Sequence, residues 1–169
     1  SHGAMPVISE IKAVFEEAFL KIWYGQMEND GLNKLVLRAQ MPWRHITILR
    51  TYLRYLRQAG LHYSREFIEG TLSDNPKIAK ALVAFFVAQF DPLLNGKNDK
   101  EAAKLESLIA TEMENVESLD QDKVLRSVLS VIKYSLRTNF FQMDEQGNEK
   151  SYISIKLDSR KILDLPEPR

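Results

Sequence analysis

Apolar residues recur at helical spacing through most of the chain and switch to alternation only near its end. Between Met41 and Gly60 the positions Trp43, Ile46, Leu49, Leu53 and Leu56 form a buried stripe with Tyr52 on its border, while Arg50, Arg54 and Arg57 mark a second, polar face. Pro42 suits the first helical position, where its missing N–H costs nothing, and Gly60 suits the left-handed position just past the end. The chain is organised around this helix.

Other helices follow by the same reading. One is predicted over Val7–Tyr24, with Ile8, Ile11, Phe15, Ala18, Phe19 and Ile22 on one side and Glu10, Glu16, Glu17 and Lys21 mostly elsewhere. A turn at Glu28–Gly31 leads to a short helix carrying Leu32, Leu35, Val36 and Ala39, which must stop before Pro42. Ser64 can cap a short helix bearing Phe67, Ile68 and Leu72. Asn75 and Pro76 then supply a cap and a first position for a helix through Ile78, Leu82, Phe85, Phe86 and Phe90. After the loop at Asn95–Asp99, Leu105, Leu108, Ile109, Met113 and Val116 share one face. A last helix is expected from Asp120, as its cap, through Val124, Leu125, Val128, Leu129, Ile132 and Leu136.

Past Asn139 the pattern alternates. Phe140–Gln142 and Tyr152–Leu157 read as two strands joined across Asp144–Asn148, with Ile153, Ile155 and Leu157 on one face. A lone two-stranded ribbon is marginal in water, so it either packs on the helices or joins a sheet from sequence beyond Arg169. The expected fold is therefore mainly α, a multi-helix bundle-like domain over residues 6–139 with a small C-terminal β-hairpin at 140–158. Residues 159–169 read as an extended connector, and 1–5 resemble a cloning remnant.

Length and composition narrow the class. A chain of 169 residues is enough for one domain that buries roughly 70% of its unfolded surface. Without cysteine there is no disulfide, thiolate metal site or thiol nucleophile, which suits the cytoplasm as the default compartment. The longest purely apolar run, Ala81–Ala88, is far short of the roughly 20 residues a membrane helix needs.

The formal net charge is zero, yet the charges are segregated. No acid occurs from Gly31 to Arg65, where Lys34, Arg38, Arg44, Arg50, Arg54, Arg57 and Arg65 are basic, and acids dominate from Asp99 to Asp122. Arginines interleaved with Trp43, Tyr52 and Tyr55 could contact phosphates and stack on bases. A pI near 6.8 and the acidic block argue instead for neutralisation inside the fold or across an interface, against nucleic acid. Arginine and aromatic residues are also common interface anchors.

Nothing in the sequence assembles a catalytic constellation. The glycines are isolated, so neither a dinucleotide fingerprint nor a phosphate loop is present. His45 and His62 have no metal-ligand spacing. Glu112 with Glu114, or Asp120 with Asp122, stand two apart, and helical neighbours at that spacing diverge. No catalytic, cofactor-binding or metal residue is assigned.

Trp43, Arg44, Leu49, Arg50, Tyr52, Tyr55 and the run Leu56-Arg57-Gln58-Ala59-Gly60 together resemble a segment of the large NAD-specific glutamate dehydrogenases. Phe90-Asp91-Pro92, Leu119-Asp120-Gln121-Asp122, the stretch Leu136–Gln142, Ser154–Asp158 and Asp164-Leu165-Pro166 are similar to the same family in the same order. The resemblance implies that a full-length enzyme deaminates L-glutamate to 2-oxoglutarate and ammonia with NAD, and that this chain is a non-catalytic segment upstream of the catalytic domain.

The fragment then needs no cofactor, and its partners are the catalytic domain of the same polypeptide and further copies in a homo-oligomer. Arg50, Arg54, Arg57, Tyr55 and Arg137 are the candidate interface, with a scaffolding, assembly or regulatory role. The alternative is a freestanding helical module that binds a protein or nucleic acid through the arginine face of residues 42–60.

Overall fold

A computed structural model describes residues 30–94, 98–158 and 160–162. The helix expected over Val7–Tyr24 and residues 1–5 lie outside the described residues, as does most of the connector. A 3-10 turn, Gly31–Lys34, runs into α1 (Leu35–Arg38), followed by α2 (Trp43–Gln58), α3 (Arg65–Asp74), α4 (Pro76–Phe90), α5 (Asn98–Met113) and α6 (Leu119–Lys133). Strands β1 (Ser135–Thr138) and β2 (Ile155–Leu157) close the order as an antiparallel pair. The architecture is mainly helical with a small ribbon, as the hydrophobic pattern implies.

The most enclosed helix is α4. Ile78, Ala79, Ala81, Leu82, Val83, Phe85, Phe86 and Ala88 are all buried, which leaves it apolar nearly all round, and it packs against α2, α3, α5 and α6. The stripe of α2 shares that core as expected, with Ile46, Leu49, Leu53 and Leu56 buried in it. Each such side chain contributes about 1.5–3 kcal/mol by leaving water. Trp43 is half-buried and packs on the edge of the core, whereas Leu108, 47% exposed, does not serve it as the spacing suggests.

Tyr52 corrects the expectation of a border residue: it is 1% exposed. Ser135 Oγ spends its proton on the Val131 carbonyl at 2.7 Å, so the Tyr52 hydroxyl donates to Ser135, also at 2.7 Å. That bond satisfies a buried hydroxyl and ties α2 to the junction of α6 and β1.

Helix ends follow local chemistry with small shifts. Ser64 caps α3 by accepting from the Phe67 amide, and Gly60 is left-handed with φ 96. Pro42 is the cap of α2 rather than its first helical residue, because its ψ of 146 is extended. Asn75 does not cap α4 with its side chain; its amide instead donates to the Thr71 carbonyl and so closes α3. Ser118, not Asp120, caps α6 through the Gln121 amide, which places Asp120 and Asp122 in the first turn where the helix dipole favours acids.

The first strand is also displaced. Helix α6 ends at Lys133, and Leu136, expected on its apolar stripe, is 55% exposed on β1. The cause is Asn139, whose buried side chain accepts from the Ser154 amide and donates to the Tyr152 carbonyl, standing in for a peptide group. The chain therefore turns at Asn139, and Phe140 and Phe141 enter the aromatic cluster around Phe86 instead of continuing a strand. Ile153, Ile155 and Leu157 pack on the helices, so the ribbon is supported from below. What is described beyond Asp158 is a turn, with the Lys161 amide on the Asp158 carbonyl and Ile162 against the core.

Gln40 alone among the described non-glycine residues has positive φ, at 53. It makes the turn between α1 and α2, where the Met41 amide returns to the Leu35 carbonyl. Replacing Gln40 with Gly removes the left-handed penalty, partly offset by a more flexible unfolded chain, and should stabilise the protein by up to about 1 kcal/mol. Thermal unfolding checks this, with an expected rise of about 2–4 °C.

Candidate functional site

The acid-free window beginning at Gly31 is served by acids at its edges. Asp30, with its side chain 2% exposed, caps the 3-10 turn through the Leu32 amide and pairs with Arg50, whose side chain is 8% exposed. The two carboxylate oxygens take Nε at 2.6 Å and one terminal nitrogen at 3.0 Å, the forked geometry in which an arginine–carboxylate pair is strongest. Arg65 reaches Asp30 at 3.9 Å and Glu69 at 2.6 Å. Glu69 also accepts from the Gly31 amide, and the Gly31 carbonyl accepts from Ser73. A Cβ at Gly31 would stand 3.0 Å from Glu69 Oε2, so a larger residue there would press on the carboxylate that accepts the Gly31 amide.

Arg50 is therefore an internal residue of this cluster, which corrects its placement on an open polar face. Arg54 and Arg57 are exposed and, with Arg50 and Arg65, line a cleft of about 80 Å³ floored by Leu32, Leu53 and Ile68. Tyr55 is half-buried against the core, and Arg137 is exposed on β1, neither of them lining that cleft. Arg50, Arg54 and Arg57 are thus brought together, while Tyr55 and Arg137 stand apart from them.

Among the described residues, none of the ion-pair partners seen for the basic stretch comes from the acidic block. Those visible are Asp30, Glu69, Asp74 for Arg38 and Glu149 for Arg44. The block is used by several elements: Asp122 holds Arg126 within α6, Glu106 of α5 holds Lys133 of α6, and Asp120 accepts from the Tyr63 hydroxyl at 2.9 Å. Sequence reading passed over Asp30, Glu69 and Arg44 as site residues. The signal for the first two was their position flanking a window that held seven cations and no anion.

Two apolar grooves, of about 460 and 530 Å³, meet at Pro42 and His45. Burial, and then the Arg44 charge beside it, hold the His45 imidazole below its usual pKa. Among the described residues no group of three acids and histidines could hold a metal ion, and no helix is long and apolar enough to cross a membrane.

Two family models match the chain: glutamate dehydrogenase, helical motif 3, over residues 27–92, and bacterial NAD-glutamate dehydrogenase, catalytic domain, over residues 108–169. Proteins named NAD-specific glutamate dehydrogenase are similar along nearly the whole chain. That of Halomonas elongata is 39% identical over 95% of this chain, that of Pseudomonas aeruginosa 38% over 95%, and that of Mycobacterium tuberculosis 36% over 97%. The chain spans 10% of the length of each.

Asp30→Asn removes the buried carboxylate that holds Arg50 in a fork and caps the 3-10 turn, and should destabilise the protein by about 1–3 kcal/mol, read from urea unfolding. His45 should titrate by NMR with a midpoint below the ordinary value of about 6.5. Because the unfolded chain takes that proton first, the His45 contribution is complete above the ordinary pKa and is lost as pH falls through it. Stability should therefore decline as pH falls below the ordinary histidine pKa of about 6.5, less so in His45→Gln.

Proposed function

We propose, from the premise that this chain belongs to the NAD-specific glutamate dehydrogenase family, that it is the place in such an enzyme where a helical segment grips the start of the catalytic domain. The whole protein, on this reading, is a cytoplasmic homo-oligomeric oxidoreductase. It converts L-glutamate to 2-oxoglutarate and ammonia and passes a hydride to NAD. This stretch contributes no reacting group; it is a scaffold that sets the position of what does react.

The observation that carries the reading is a single core shared by both matched segments. Tyr52 and Phe86, from the helical-motif match, bond and stack with Ser135, Phe140 and Phe141, from the catalytic-domain match. Tyr63 with Asp120 and Gln89 with the Lys133 carbonyl add polar links across the same division. A joint of this kind fixes relative orientation, which is what an oligomeric enzyme needs from a non-reacting segment. Arg57 and Arg137, exposed on opposite sides of the division, are the residues through which it meets neighbouring parts of the polypeptide or its oligomer. No observation favours a freestanding module that binds nucleic acid.

The test is made in the full-length protein with Arg57→Glu and Arg137→Glu combined. Oligomer mass by light scattering, or turnover in glutamate-dependent NAD reduction, should fall. An unchanged assembly with unchanged kinetics would overturn the assignment of these residues, and a full-length protein without that activity would overturn the reading.

A further inference from the structure

Arg44 stands in the first turn of α2, and its side chain is only 12% exposed. Its guanidinium donates to the Phe140 carbonyl at 2.9 Å and to the Lys150 carbonyl at 3.4 Å, pairs with Glu149 at 3.1 Å, and lies 4.5 Å over the Phe140 ring. Those acceptors belong to opposite limbs of the ribbon: Phe140 leaves β1, whereas Glu149 and Lys150 lead toward β2.

The ladder between the limbs is interrupted where Arg44 reaches. It pairs Ser135 with Leu157, Arg137 with Lys156 and Thr138 with Ile155, continues through the Asn139 amide on the Ser154 carbonyl, and resumes only at the isolated bridge of Met143 and Glu149. Within the gap, carbonyls of the two limbs are joined by one side chain from a helix about a hundred residues earlier. A planar group with five N–H donors can span two carbonyls and a carboxylate while stacking on a ring; an ammonium cannot.

We infer that Arg44 is a positioning residue for the oxidoreductase reaction of the whole enzyme. It clamps both limbs of the ribbon to the helical segment and so fixes where the ribbon sits on α2. This rests on the reading given under Proposed function, because the ribbon lies in the stretch that matches the catalytic domain and Arg44 in the helical match. The side chain touches no reacting atom; it acts through the backbone it holds. Displacement of a reacting group by about 1 Å from a distant substitution can cost a hundredfold in rate, so a lost clamp is expected to appear in turnover.

The experiment uses the full-length enzyme with Arg44→Ala and Arg44→Lys. In both, kcat should fall by about ten- to a hundredfold with KM for glutamate and for NAD unchanged. Amides of Met143, Glu149 and Ser154 should exchange hydrogen faster while those of α4 and α6 keep their protection. Lysine should not rescue, and it carries the test if the alanine variant fails to fold. Wild-type kinetics in either folded variant, or rescue by lysine, would overturn the role of Arg44. Absence of glutamate-dependent NAD reduction in the wild-type full-length protein would instead overturn the reading on which it rests, and with it the inference.

Discussion

A buried ion pair sets the geometry of one side of this protein. Asp30 and Arg50 are both withdrawn from water, and such a pair is a poor source of net stability compared with a well-packed apolar contact. What it supplies is address. The carboxylate must simultaneously cap the 3-10 turn, face α2 and accept Arg65 from α3, and only one arrangement of three elements meets those conditions. Glu69 and Ser73 extend the constraint by gripping the Gly31 peptide from both its N–H and its carbonyl. The short α1, too small to be stable by itself, is held in place as a result.

How much of this could be read from the chain depends on whether the cause is local. Helices α2 to α6 were legible because their apolar spacing and their caps lie within a few residues of one another. The Ser64 cap and the left-handed Gly60 are of that kind. Two features were misplaced because their causes are distant in sequence. Arg50 looks like Arg54 and Arg57 until Asp30, twenty residues away, is seen to occupy it. Phe140 and Phe141 look like a strand until Asn139 binds the backbone of residues 152 and 154 and turns the chain inward. Charge segregation was real, and among the described residues the carboxylates paired with the basic stretch are Asp30, Glu69, Asp74 and Glu149. Ion pairs form between side chains brought close by the fold, and α5 and α6 carry their own cations.

The two matched family segments meet inside one hydrophobic core rather than across a surface. Relative motion between a helical motif and a catalytic domain is the ordinary expectation when the contact is small and polar. Here the contact includes Phe86 at 0% exposure, the Tyr52 hydroxyl bond and the Phe140–Phe141 cluster, which favours motion as a unit. The division between the two matched segments runs through this core, not around it.

The interrupted ladder of the ribbon has a consequence for the order of events during synthesis. A two-stranded ribbon has little stability alone, and one whose pairing lapses midway has less. It can become ordered only against a surface that already exists. Chains emerge from the ribosome N-terminus first, at about 5–20 residues per second, so α2, α3 and α4 are complete before Phe140 is made. The helical segment therefore serves as a template: Arg44 and the face of Phe86 are already made when the residues of the ribbon arrive to pack on them.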